Sequence, residues 1–302
     1  MKELSKNRTV SVIIPTYKNR GGLIQSVDSA LAQNYDGLLE VIVVDDNSPE
    51  SEDRKNTERL MAKYSETSKV VYIRHAQNKN GAAARNTGIK ASKGDYIAFL
   101  DDDDIFLKGK LTKQVAYLEQ HKEFDAVYCL ARRSKYGCSQ RIVEGDGTRD
   151  ILLLESNFFT PSLMFRREAL EAINGFDETF RRFQDYELLL RFFAAGYKIG
   201  CVPDVLIEIG MNKGENIPKG KSMEDLKLYF FSKFDSFIKK EDTMTPGFAN
   251  EVYVRHYAYV FLSYVKAQNL FRAIKVFFKY FFKAPVEFTK VVYASAKQHL
   301  RQ

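Results

Sequence analysis

The chain has 302 residues, 45% of them apolar and 28% charged, which is enough for a large globular domain with an appended unit and too apolar for a disordered chain. Its 46 Lys+Arg against 39 Asp+Glu leave a formal charge of +7, which suits an anionic partner such as a nucleotide, a nucleic acid or an acidic lipid without choosing among them. Cys129, Cys138 and Cys201 are odd in number and lack CxxC spacing, so neither a disulfide framework nor a cysteine zinc site is expected, and a reducing, cytoplasmic setting is.

The first strand is expected at Val10–Ile14, with no apolar leader before it. Leu23, Ile24, Val27 and Leu31 then repeat at helical spacing, and Val41–Val44 forms a second apolar run. A helix through Leu60, Met61 and Tyr64, a strand at Val70–Ile73, a helix over Ala82–Ala91 and a strand at Tyr96–Leu100 continue the alternation. Strands alternating with helices imply parallel pairing in an α/β sheet covered on both faces. Beyond Cys129 the alternation weakens, and Glu144–Arg149 reads as a surface loop. A boundary is expected near Gly210, dividing a domain over residues 1–210 from a helical extension over 211–302, in which Ser222 and Asp225 read as a helix start. No apolar run approaches the ~18 uncharged residues that cross a bilayer.

Ligands of open α/β sheets sit at the carboxyl ends of the strands, and the polar signatures fall there. Four consecutive aspartates, Asp101–Asp104, repel one another unless a cation sits among them, and their oxygen-rich chemistry suits Mg²⁺ or Mn²⁺. A solvated acidic loop is the alternative. Asp45 and Asp46 end the second strand, where a carboxylate can accept a hydrogen bond from a base or ribose, or merely close a turn with Asn47-Ser48-Pro49. The small residues Gly81–Ala84 open a helix in which Arg85 faces either a phosphate or an aspartate of the acidic loop.

Val10–Tyr17, Val43–Ser48 (VVDDNS), Gly81–Asn86 (GAAARN) and Phe99–Asp104 (FLDDDD), followed by Thr160–Ser162, Asn174–Glu178 and Gln184–Leu188, resemble in order and spacing the successive motifs of family 2 glycosyltransferases with the GT-A fold. The resemblance covers about the first two thirds of the chain. It implies a mixed, mostly parallel sheet flanked by helices, and an inverting transfer from a nucleotide-diphosphate sugar, most simply a UDP-sugar, to a saccharide or lipid-linked saccharide in cell-surface polysaccharide synthesis. It assigns Pro15, Thr16, Tyr17, Asp46, Arg85, Asp101 and Asp102 to the nucleotide, with Asp46 at the uracil edge. Asp103, with Asp101, would hold Mn²⁺ or Mg²⁺, and Asp185 would be the catalytic base. The family's Glu-Asp pair is Gln184-Asp185 here, which should leave Asp185 with a lower pKa than a Glu-Asp pair would.

Two rivals remain. A sugar-1-phosphate nucleotidyltransferase would need a Gly-rich loop after the first strand, which is missing, and a noncatalytic nucleic-acid or membrane-binding module would leave the aspartates unexplained. No nucleic-acid partner is expected. Between Leu270 and Lys283, aromatic residues fall on one helical face and Arg272, Lys275, Lys279 and Lys283 on another. This basic amphipathic helix suits packing on the catalytic domain, contact with the inner face of the plasma membrane, or a homodimer seam. His75, His121, His256 and His299 fit no metal spacing and are assigned packing or surface roles.

Overall fold

A computed structural model describes residues 8–18, 21–133, 141–156, 158–210 and 218–299; Cys138 lies outside them. The chain forms two compact units, one of Met1–Gly147 with Asn157–Met211 and one of Thr148–Ser156 with Asn212–Gln302.

The first unit is built on strands β1 (Val10–Thr16), β2 (Leu38–Asp45), β3 (Val70–Arg74), β4 (Tyr96–Phe99), β5 (Ile105–Phe106), β6 (Ala126–Arg133), β7 (Met164–Arg166) and β8 (Ile199–Ile209). They form one sheet in the order β3-β2-β1-β4-β7-β6-β8-β5. The β3-β2-β1-β4 half is parallel; β7 runs antiparallel to both β4 and β6, β6 and β8 are parallel, and β5 is antiparallel to β8. The sheet is therefore mixed, as expected. Strand β1 is buried nearly throughout, which is why it reads as a continuous apolar run rather than an alternating one. Its Pro15 pairs with Val44 of β2, whereas the pairing with β4 ends at Ile13↔Phe99. The missing N–H thus falls where one ladder has already stopped.

Helices α1 (Leu23–Leu31), α2 (Glu52–Met61) and α3 (Gly81–Ala91) follow the first three strands. Helix α3 lies close on β1: a Cβ at Gly88 would collide with the Ile13 side chain, so packing requires glycine at that position. Helix α4 (Lys110–Gln120) precedes β6. The Glu144–Arg149 stretch is more ordered than expected, since Gly145 bridges to Ile199 and Thr148 starts helix α5 (Thr148–Leu152). Helix α6 (Arg167–Ala172) follows β7, and α7 (Gln184–Ala194) runs into β8. Thr160–Ser162 is a buried turn whose Ser162 carbonyl accepts from Gln114 Nε2 at 2.8 Å.

The second unit adds helices α8 (Lys221–Met244), α9 (Phe248–Lys266), α10 (Leu270–Tyr280) and α11 (Pro285–His299). Helix α8 starts after Gly220 with no side-chain cap, so the Ser222/Asp225 start is not used. His256 of α9 is fully buried against Phe230 and Phe231, and its Nε2 meets the Leu152 carbonyl at 2.9 Å. No helix among the described residues is long and apolar enough to cross a membrane.

Candidate active site

Loops after β1, β2 and β4 converge at the carboxyl edge of the sheet, where the starts of α3 and α7 join them. The loop after β4 is a turn, closed by Asp104 N–H donating to the Asp101 carbonyl at 3.1 Å. Gly22, before α1, and Gly210, after β8, press on its backbone. A Cβ at Gly22 would stand 2.6 Å from the Asp102 carbonyl oxygen, and one at Gly210 would collide with that of Asp103.

Each aspartate of this loop has a distinct environment. Asp101 Oδ1 accepts from Arg85 Nη2 at 2.6 Å. Asp102 Oδ2 accepts from the buried Thr16 hydroxyl at 2.5 Å. Burial pushes the Asp102 carboxyl up to about 6 against that hydrogen bond, with Asp101 and Asp103 adding in the same direction. Asp104 is almost fully buried, and its Oδ1 accepts from Gly210 N–H at 2.8 Å. Burial and then the neighbouring Asp101 push its carboxyl up to about 8. Asp103 stays partly exposed. Thr16 therefore supports the aspartate loop with its side chain.

Arg85 connects two motifs distant in sequence. Its Nη1 donates to Gln184 Oε1 at 2.9 Å while Nη2 holds Asp101, and its guanidinium lies 5.5 Å from the centre of the Phe176 ring. The aspartate partner expected from sequence is met, and the buried Nε of Arg85 has no protein partner. Asp185, in the first turn of α7, accepts from Tyr186 N–H at 3.0 Å. Desolvation pushes its carboxyl up to about 6 despite that N–H and the positive charge of Arg85. Burial, rather than the neutral Gln184, sets the direction.

Asp46 is 2% exposed. One carboxylate oxygen meets His75 Nδ1 at 2.7 Å and Lys79 N–H at 2.8 Å, and the other accepts from Asn78 Nδ2 and Asn80 N–H, each at 2.8 Å. Its carboxylate oxygens thus meet the 75–80 segment and hold that loop in place. Asn80, at φ 91°, then caps α3 by accepting from Ala82 and Ala83 N–H. Tyr17, 49% exposed, lines a cleft of about 350 Å³ with Asp46, Asn78, Lys79, Asn80, Gly81 and Arg181. Pro15 is half-buried beside it in sequence and outside that lining. Asn78, Asn80, Arg181 and His75 were not singled out from sequence as site residues. Their one signal is position: His75 directly follows β3, Asn78 and Asn80 precede α3, and Arg181 precedes α7. Asn86, the last residue of the GAAARN motif, grips the Phe176 backbone with its side chain at both N–H and carbonyl.

The oxygen-only chemistry of residues 101–104 fits a hard divalent cation; the raised carboxyls of Asp102 and Asp104 owe most to burial, with the neighbouring aspartates adding in the same direction. Among the described residues no three His, Cys, Asp or Glu side chains converge as a ready-made cage. A cation here would need oxygens from a bound phosphate, a common arrangement for Mg²⁺.

The family described as Glycosyl transferase family 2 matches residues 11–189. A Haemophilus influenzae protein described as an uncharacterized glycosyltransferase is 30% identical over 188 residues, covering 60% of this chain and 61% of that one. The Erwinia amylovora amylovoran biosynthesis glycosyltransferase AmsB is 27% identical over 252 residues, covering 80% and 82%. The chain spans about three fifths of the length of the Haemophilus relative and less than two thirds of several others. Among solved structures, S. aureus TarS 1-349 in complex with UDP-GlcNAc superposes with a TM-score of 0.64 at 18% identity, over 94% of this chain and 83% of that one, which identifies the sheet and its flanking helices as GT-A-like. With more than half of its residues inside the family match, and its motifs meeting at one edge of that sheet, the chain belongs to glycosyl transferase family 2.

Proposed function

We propose that the chain is an inverting hexosyltransferase that moves a sugar from a UDP-sugar to a hydroxyl of a saccharide or lipid-linked saccharide, at the cytoplasmic face of the membrane, in cell-surface polysaccharide synthesis. The observation that carries this reading is the Arg85 bridge from Asp101 to Gln184, which joins the aspartate loop to the residue beside Asp185. TarS, with UDP-GlcNAc in its described complex, supports the donor class, and AmsB supports the polysaccharide setting.

In this reading Tyr17, Lys79 and Arg181 bind the nucleotide in the cleft formed by the loop that Asp46 shapes. Asp103, with the oxygen of Asp101 that Arg85 leaves open, would hold Mn²⁺ or Mg²⁺, which supplies charge neutralisation of the departing diphosphate. Arg85 fixes Asp101 and orients the start of α7. The Asp185 carboxylate takes the proton of the acceptor hydroxyl as that oxygen attacks the anomeric carbon opposite the nucleotide, so one carboxylate suffices and the configuration inverts. A carboxyl near 6 is mostly ionised at neutral pH yet more basic than an ordinary aspartate.

Calorimetric titration with UDP, GDP, CDP and dTDP, each with Mn²⁺ and with EDTA, tests this directly. Metal-dependent selection of UDP, followed by release of UDP without pyrophosphate during turnover, is the expected result. Binding of none of the four, or release of pyrophosphate, overturns it.

A further inference from the structure

We propose that the outer face of α10, continued through Phe282, docks in the plane of a bilayer containing anionic phospholipid. The helix already packs by its other side. Ala273, Val276 and Tyr280 are buried, Tyr280 stacks on Tyr257 at 3.8 Å, and Phe277 meets Phe261 and Phe288. The aromatic residues that sequence places on one face are thus divided, and a second apolar stripe points away from the unit. Phe271, Ile274, Phe278 and Phe282 are 69%, 55%, 63% and 65% exposed. Spacing of three and four keeps Phe271, Ile274 and Phe278 on one line of the helix, and Phe282, in the 3-10 turn that follows, stacks on Phe278 with ring centres 6.1 Å apart.

Charge selects the occupant. Leu270–Lys283 contains no Asp or Glu, and Lys275, Lys279 and Lys283 are exposed beside the stripe. Their ammonium groups lie over Phe271 and Tyr280, at 4.4 Å for Lys275, and none is in an ion pair with a described residue. Arg272 turns inward to Tyr264 and Glu224. A second copy seated on the same face would set these lysines against their own equivalents. An anionic headgroup layer over an acyl boundary matches both components, because phenyl rings enter a few ångströms deep while lysine stems reach up to the phosphates. At 11 residues α10 is too short to span and suited to lying flat. This docking belongs to the helical unit and does not depend on the transfer reaction.

The full chain is sedimented with vesicles of phosphatidylcholine alone and of phosphatidylcholine mixed with phosphatidylglycerol, at low and physiological salt. Binding to the mixed vesicles, weakened by salt, is expected. Lys275→Gln/Lys279→Gln/Lys283→Gln should weaken it by roughly fivefold per lysine. Phe271→Ser/Phe278→Ser should lose about tenfold or more. Both sets of side chains are exposed, and unchanged helical circular dichroism and UDP affinity would verify that each variant folds. Absence of binding to either vesicle, equal binding to both, or self-association in sedimentation velocity that the Phe→Ser variant abolishes would each overturn the proposal.

Discussion

Replacing Asp185 with Asn should abolish transfer and stabilise the protein. Desolvation holds the carboxyl at about 6 against an ordinary 3.8, a difference of about two units, or ~3 kcal/mol at 1.36 kcal/mol per unit. Its partial exposure reduces that figure to about 2 kcal/mol. The sign follows from proton binding. Between pH 4 and pH 6 the folded chain keeps this proton while the unfolded chain releases it, so stability falls as pH rises through that window and stays lower above it. The carboxamide oxygen of the variant can still accept from Tyr186 N–H, so Asp185→Asn should raise the denaturant unfolding free energy by ~1–2 kcal/mol at pH 7.5 and by nothing below pH 4. Transfer should fall by ~10²–10⁴-fold with UDP affinity unchanged. In the wild type kcat/KM should rise with pH about an apparent pKa near 6 and level off above 7. Urea titrations at both pH values, with a coupled assay for UDP release, measure all of this. A variant that is less stable at pH 7.5 and also loses UDP binding would make Asp185 a structural residue and refute the assignment.

Gln184→Glu gives Arg85 a second carboxylate partner and places a negative charge beside Asp185; the pH profile of kcat/KM should move to higher pH, and a shift to lower pH would contradict the Arg85 geometry. Asp103→Ala should weaken UDP binding in Mn²⁺ and leave binding in EDTA unchanged; undiminished Mn²⁺ dependence in calorimetry would remove Asp103 from the ligand set. Asp46→Ala strands the N–H groups of Lys79 and Asn80, so it should cost ~2–4 kcal/mol in urea unfolding and lose UDP affinity in EDTA as well as in Mn²⁺. Burial, then the nearby Lys227, hold His256 well below its ordinary 6.5. As pH drops below 6.5 the unfolded chain gains a proton that the folded one refuses, so the unfolding free energy relative to His256→Gln should fall by ~1.4 kcal/mol per pH unit; a constant difference between pH 7.5 and 5.5 would show that His256 titrates normally.

The parallel half of the sheet was legible because buried strands and amphipathic helices leave different periods, and the helix inferred from Leu23, Ile24, Val27 and Leu31 has the bounds of α1. Strands β5 and β7 of the other half were not, because they have two and three residues, too few for any period. The site was legible as an ordered set of motifs at strand ends. Sequence could not reveal that Asp46 spends its acceptors on residues 29 to 34 positions ahead, since hydrogen-bond saturation depends on loop geometry. Sequence leaves Arg85 facing a phosphate or an aspartate, and the contact with Asp101 depends on the approach of α3 to the β4 loop, which no spacing encodes. Helix α10 carries apolar residues on two sides, Ala273, Val276 and Tyr280 on one and Phe271, Ile274 and Phe278 on the other, so periodicity could find a stripe without telling which is covered.

The two glycines that close on Asp102 and Asp103 restrict how this enzyme can change. Position 22 opens the first helix and position 210 follows the last strand, yet both are pinned by the same few backbone atoms, so neither can acquire a side chain to compensate for an altered aspartate loop. A library randomised over Asp101–Asp104 should therefore recover no second-site suppressors at either position. Under the proposed function, adaptation to a new donor would run instead through Tyr17, Lys79 and Arg181, which line the cleft.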